Sequence, residues 1–135
     1  IGELIVRGFN GFAGPATWMA VSKPLSSDVK RGFVYPYGDW ATRIATHRFV
    51  VDIPSGRGTA SDHALAEIEL RLPLLREKHV AVIWGGDDFC FNRHYFERWQ
   101  KILPEADATY LEGVGHYLLE DATDQVVLKI RETVS

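Results

Sequence analysis

The sequence has very little sulfur: one cysteine, Cys90, and one methionine among 135 residues. A lone thiol cannot close an internal disulfide, so no disulfide framework holds this chain, and a cytoplasmic location is the expectation. A catalytic thiol would want a setting that stabilises a thiolate, which nothing around Cys90 suggests. Charge of one sign is also scarce. The net charge of −3 gives no electrostatic reason to expect nucleic acid or an anionic membrane surface as a partner. No apolar run approaches the roughly 20 residues of a membrane span. Internal repeats and low-complexity runs are absent. The histidines show no close metal-ligand spacing with Cys or acidic residues. Gly56-Arg57-Gly58 lacks the Lys-Ser/Thr that would make it a phosphate cradle. Neither a metal nor a cofactor is therefore expected. The start at Ile1, with no signal or transit pattern, is read as that of an excerpted chain.

What remains is a globular composition, 46% hydrophobic and 24% charged, enough apolar material for a core. The turn-rich stretch Pro54-Ser55-Gly56-Arg57-Gly58-Thr59 divides the chain. Before it, the pattern predicts short helices broken by Gly and Pro. Leu4, Ile5, Gly8, Phe9 and Phe12 stand at helical spacing over 1–12, and Pro15 and Pro24 punctuate the residues after them. Ser27-Asp28 offers an N-cap for a helix ending near Tyr35. Asp39 offers another for a helix through about Val51, with Trp40, Ile44, His47 and Val51 along one side.

After the divide the rhythm changes. Ser61 is placed to cap a helix to about Leu72, with Leu65, Ile68 and Leu72 on one face. Val80-Ala81-Val82-Ile83-Trp84 is an unbroken apolar run closed by Gly85-Gly86, which predicts a strand buried on both faces of a parallel sheet. A helix from about Asn92 to Leu103 presents Phe96, Trp99 and Leu103. Ala108–Leu111 predicts a second strand. A last helix from Thr123 to about Thr133 carries Val127, Ile130 and Val134. Strand–helix–strand–helix is the α/β pattern. Two such strands leave open edges, so the sheet is expected to be completed by strands from elsewhere.

Chemistry gathers at the carboxyl ends of parallel strands, and both strand ends here carry candidates. Asp88 follows the first in Trp84-Gly85-Gly86-Asp87-Asp88-Phe89, with Asp87 as a more solvated rival. His116 follows the second in Gly113-Val114-Gly115-His116-Tyr117. An aspartate accepting from an imidazole N–H fixes the ring's tautomer and stabilises its cation. Acid then base is two-thirds of a triad, in the order the α/β hydrolases use.

Trp84-Gly85-Gly86-Asp87-Asp88 resembles the WGxxD loop of haloalkane-dehalogenase-like α/β-hydrolases, and Gly115-His116 through Asp121 resembles their GHxxxxE/D loop. Within that superfamily the chain is most similar to the cis-β-lactone decarboxylases of bacterial olefin biosynthesis. Arg7–Phe12, Met19–Leu25, Pro36–Trp40, Arg43–Ala45, Arg48–Pro54 and Asp88–Phe91 carry that likeness. The resemblance implies the C-terminal part of an α/β-hydrolase fold. Residues 1–59 would be the helical cap, and 60–135 the last two parallel strands of the core with their helices. It implies Asp88 and His116 as catalytic acid and base, with Tyr117, Trp18, Trp40 and Phe89 lining a pocket for an apolar substrate. Arg43, Arg48 and Asp52 are expected to be structural.

No G-x-[SD]-x-G elbow and no Gly-rich oxyanion loop stand anywhere in the chain. The nucleophile, Asp or Ser, is therefore expected in sequence outside these residues. The partner implied is the missing N-terminal half of the fold, or a second copy. The competing expectation is a non-catalytic hydrolase remnant that binds a lipid-like ligand or a protein.

Overall fold

A computed structural model describes all 135 residues, Ile1–Ser135. It contains α-helices and one two-stranded parallel sheet, the α/β class the pattern predicts. Two compact units divide the chain: Ile1–Met19 with Pro24–Ala66, and Ala20–Lys23 with Glu67–Ser135. A short piece of the first half thus folds with the second unit.

The first unit opens with a π-helical turn, Leu4–Gly8, followed by α1 (Ala13–Met19), α2 (Ser27–Val34), a 3-10 turn at Tyr35–Tyr37 and α3 (Ile44–Asp52). Four expectations need correction here. The wider winding over Leu4–Gly8 buries Val6, while Leu4, Ile5 and Phe9 are exposed. That turn closes onto Gly11, whose N–H donates to the Ile5 carbonyl at 3.0 Å; a Cβ on Gly11 would lie 2.8 Å from that same oxygen. Pro15 lies inside α1 rather than between elements, because a first-turn residue has no intrahelical N–H bond to lose. Asp39 does not cap α3. Its carboxylate takes the Thr42 N–H at 2.8 Å in a tight turn, and the helix begins two residues later. On α3 the buried residue is Thr46, whereas Trp40, Ile44 and Val51 are exposed.

Ser26, one residue before the expected pair, caps α2 by accepting from the Val29 N–H. Arg43 donates to the carbonyls of Tyr37, Arg7, Gly8 and Gly38, pinning the stretch before α3 to the first turn of the chain. Arg7 lies over the Trp40 ring at 4.3 Å, a cation–π contact.

Next comes α4 (Ala60–Arg71). Its N-terminus is a reciprocal box on Thr59, not Ser61. The Thr59 hydroxyl accepts from the Asp62 N–H, and Asp62 accepts from the Thr59 N–H at 2.8 Å. Backbone N–H bonds from Gly56 and Thr59, joined by the Thr59 hydroxyl, hold the Asp62 carboxyl down to about 2. Ser61 donates to Asp52 instead. Leu65 and Ile68 on α4 are exposed.

The second unit contains a 3-10 segment (Leu72–Glu77), β1 (Ala81–Gly85), α5 (Arg93–Ile102), β2 (Asp107–Leu111), the single turn α6 (Leu118–Asp121) and α7 (Thr123–Val134). β1 and β2 pair in parallel with Ala81 opposite Asp107 and Gly85 opposite Leu111. The first strand is half-buried along Ala81–Trp84 and fully buried only at Gly85. Full burial on both faces, as the unbroken apolar run predicted, requires cover that a two-stranded sheet lacks.

Asn92 caps α5 by accepting from the His94 N–H. Phe96 and Leu103 are buried as expected, and Phe96 packs on Trp84 and Tyr110 from the two strands. The core of this unit is Val114, Ala122 and Val126 against Ile83, Leu111 and Leu118. On α7 it is Val126 that faces inward, while Val127, Ile130 and Val134 are exposed. No helix is long and apolar enough to cross a membrane.

Candidate functional site

The site is built where β1 and β2 end side by side. After Gly85 the chain turns sharply, with the Gly86 N–H on the Leu111 carbonyl at 2.8 Å and the Asp87 N–H on the Val114 carbonyl at 2.9 Å. The two bonds tie the loop after β1 to the end of β2 and to the loop that follows it. Asp88 then enters a turn of its own making: Oδ1 accepts from the Cys90 N–H at 2.8 Å and the Phe91 N–H at 2.9 Å. Trp84 closes that turn from outside, its indole N–H donating to the Phe91 carbonyl at 2.7 Å. With Oδ1 occupied, the other oxygen is aimed. Asp88 Oδ2 lies 2.9 Å from His116 Nδ1, and its side chain is only 10% exposed.

A proton on Nδ1 satisfies that carboxylate, and Nε2 is left as the nitrogen able to accept a proton. The arrangement is a base whose tautomer is set by an acid, itself fixed by two backbone donors. Asp87, the rival acid, is exposed; the Ser22 hydroxyl donates to it at 3.3 Å.

Aromatic rings surround the imidazole. Phe91 stands 5.6 Å from it, Tyr117 6.0 Å and Phe89 6.2 Å, centroid to centroid. Of the residues named from the sequence, Asp88, His116, Phe89 and Tyr117 are brought together. Trp18 and Trp40 belong to the first unit, both exposed, Trp40 beneath Arg7.

Sequence reasoning missed Phe91, whose backbone serves Asp88 and Trp84 while its ring packs on His116; an aromatic three residues past a loop acid is the only signal it gives. Asp121 stood in the sequence only as the last residue of the GHxxxxE/D likeness, with no role assigned to it. Its carboxylate is buried and accepts from Gly115, Ser22 and Lys23. Burial acts to raise its pKa, but those three N–H bonds and the Lys23 charge outweigh it and leave it lowered.

Cys90 lies in the same turn, exposed at its surface. Partial burial, and then the charge of Asp88, push its thiol pKa up, so it is held away from the thiolate form. Iodoacetamide at pH 8 is therefore expected to alkylate Cys90 more slowly than a free cysteine. Asp88→Asn should speed the reaction, read by mass spectrometry over time.

No protein-family profile matches the chain. Two curated proteins do, over nearly all of it. A cis-3-alkyl-4-alkyloxetan-2-one decarboxylase of Shewanella oneidensis is 36% identical over 132 residues, 97% of this chain and 42% of that protein. The protein of the same name from Xanthomonas campestris is 34% identical over 131 residues, 97% of this chain and 44% of that protein. Over nearly its whole length, this chain is similar to these oxetanone decarboxylases. An oxetan-2-one is a β-lactone, so the match falls on the group that Arg7–Phe12, Met19–Leu25 and the other segments named with them resemble. The chain spans less than half the length of these decarboxylases. A flap endonuclease of Shewanella sediminis is 37% identical over 51 residues, only 36% of this chain and 20% of that protein, too small a part to bear on the fold.

Proposed function

We propose that this chain is the acid-and-base part of a β-lactone decarboxylase, with Asp88 orienting His116 and the nucleophile supplied by sequence beyond these residues. The observation that carries the reading is the 2.9 Å bond between His116 Nδ1 and Asp88 Oδ2 at the ends of adjacent parallel strands. The similarity to oxetanone decarboxylases supports this choice of chemistry.

Decarboxylation of a dialkyl β-lactone breaks the bond between the carbonyl and the α-carbon, and the bond between the ring oxygen and the β-carbon. Carbon dioxide and an alkene leave, and neither water nor a proton is consumed overall. Any proton that His116 Nε2 takes must then be returned within the same turnover. A covalent intermediate on an Asp or Ser would divide the ring opening into two easier steps. Phe89, Phe91 and Tyr117 beside His116 offer the alkyl chains an apolar wall.

The missing part also accounts for the exposed apolar faces. Strands added to the two-stranded sheet would satisfy its open edges, and their helices would cover Val127, Ile130 and Val134.

The test joins this chain to the part of the Shewanella oneidensis decarboxylase outside the matched region and supplies a cis-dialkyl β-lactone. Alkene, read by gas chromatography, is expected from the fusion but not from the 135 residues alone. Turnover by the chain alone would mean that the nucleophile lies within it. A β-hydroxy acid in place of alkene would make the enzyme a hydrolase. Lactone bound by the fusion without turnover would mark a non-catalytic remnant.

A further inference from the structure

We propose that Asp121 is a positioning residue that aims the His116 ring, by gripping the backbone on both sides of it with one buried carboxylate. The proposal rests on the reading of His116 as the base.

The geometry is specific. Asp121 Oδ2 accepts from the Gly115 N–H at 2.7 Å and from the Ser22 N–H at 2.8 Å, and Oδ1 accepts from the Lys23 N–H at 3.0 Å. Lys23 Nζ donates to the Asp121 carbonyl at 3.1 Å. The residue before His116 is thus held directly. The residue after it is held at one remove: the Tyr117 N–H donates to the Ala20 carbonyl at 2.7 Å, and Ala20 belongs to the stretch that Asp121 anchors through Ser22 and Lys23. Those residues fold with the second unit although they lie about a hundred positions from Asp121 in sequence. One carboxylate therefore fastens a remote strap across the histidine loop.

Gly115 permits the approach. A Cβ there would lie 2.8 Å from the Ala20 carbonyl oxygen and 3.0 Å from Asp121 Oδ2. The same strap reaches the acid loop, where the Ser22 hydroxyl donates to Asp87 Oδ2 at 3.3 Å. His116 is thus suspended between two tethered peptide groups, and its ring direction follows from them. The hydrogen bonds of the Asp121 carboxylate go to backbone N–H groups, so its effect is transmitted through the backbone.

A neutral amide at 121 cannot replace this carboxylate. Its single oxygen faces three donors, and its own NH₂ would point at an N–H. Charge-assisted bonds to buried donors are the strong ones, and losing them frees Gly115 and the strap together. An unheld ring loses the bond to Asp88, and with it the preference for the Nδ1–H tautomer.

That tautomer is the readout. Long-range ¹H–¹⁵N spectra of the histidine-labelled 135-residue chain report which ring nitrogen of His116 carries the proton, with Asp88→Asn as the reference for the lost pair. In the unsubstituted chain Nδ1–H is expected to dominate. In Asp121→Asn the ratio should fall about tenfold, the scale of one charge-assisted hydrogen bond, with the other histidines unchanged. Asp121→Glu, which restores the charge, should recover part of the ratio. If Asp121→Asn disturbs every histidine, Asp121→Ser, smaller and still an acceptor, serves in its place with the same expectation. Retention of the Nδ1–H tautomer in the folded variant overturns the proposal and leaves Asp121 as a structural residue. Absence of that tautomer from the unsubstituted chain instead overturns the acid–base pair itself. No turnover is needed to tell the two failures apart.

Discussion

In the fusion that completes the fold, Asp88→Asn should lower turnover by about four orders of magnitude, the scale seen when a triad acid is made neutral. The reason lies in the two oxygens. Asn can keep its carbonyl oxygen on the Cys90 and Phe91 N–H groups, as Oδ1 does now, so the loop has no cause to move. Its NH₂ then replaces Oδ2 opposite His116 Nδ1. A donor in that place forces Nδ1 to accept, the ring proton moves to Nε2, and the nitrogen that must take a proton is already filled. His116→Ala removes the base outright and should cost at least as much. Asp88→Ala is a less informative change, because it also removes the acceptor for two backbone N–H groups and loosens the turn. The measurement is kcat for alkene release beside a circular dichroism spectrum. A spectrum unchanged in Asp88→Asn with turnover within tenfold of the unsubstituted enzyme would remove Asp88 from the mechanism.

The approach of Asp88 to His116 was legible in the sequence because it rests on local signals. An unbroken apolar run ending in Gly85-Gly86 marks a strand and its sharp exit, and Gly115-His116 repeats the exit on the next strand. Parallel pairing then brings the two ends together without further information. The helix beginning near Asn92, and Phe96 and Leu103 as its buried positions, were legible for the same reason: their signals are local. The role of Asp121 was not. Its donors include residues 98 and 99 positions away, so the motif that ends at Asp121 marks the residue without showing what it holds. The inward face of α7 was misread because hydrophobic periodicity counts apolar residues rather than partners. Val127, Ile130 and Val134 make the better stripe, yet Ala122 and Val126 face the core. In the same way Leu65 and Ile68 on α4 form an apolar pair that stays exposed. A periodic stripe shows that a helix has a face to bury; it does not say which chain segment buries it.

Replacing Gly85 by alanine should destabilise the second unit by about 3 kcal/mol or more, beyond the usual cost of overpacking because backbone has to move. A Cβ at this position would stand 2.3 Å from the Gly115 carbonyl oxygen and 2.6 Å from that of Val114. Neither atom is the end of a flexible side chain. Both belong to the loop that carries His116, and the Val114 oxygen already accepts the Asp87 N–H. Relief can come only by lifting the histidine loop from the end of β1, which breaks that bond and draws His116 away from Asp88. Stability and catalysis should therefore fall together. A helix glycine serves as the control. Gly32 in α2 has nothing within 4 Å of the place its methyl group would take as alanine, so Gly32→Ala should stabilise by about 0.5–1 kcal/mol through helix propensity alone. Urea unfolding of the two variants should move the midpoint in opposite directions. A Gly85→Ala midpoint equal to that of the unsubstituted chain would mean that the two loops do not approach as closely as the carbonyl distances require. Gly85 is thus more than a strand terminator: the absence of its side chain is what lets the acid loop and the base loop close on one another.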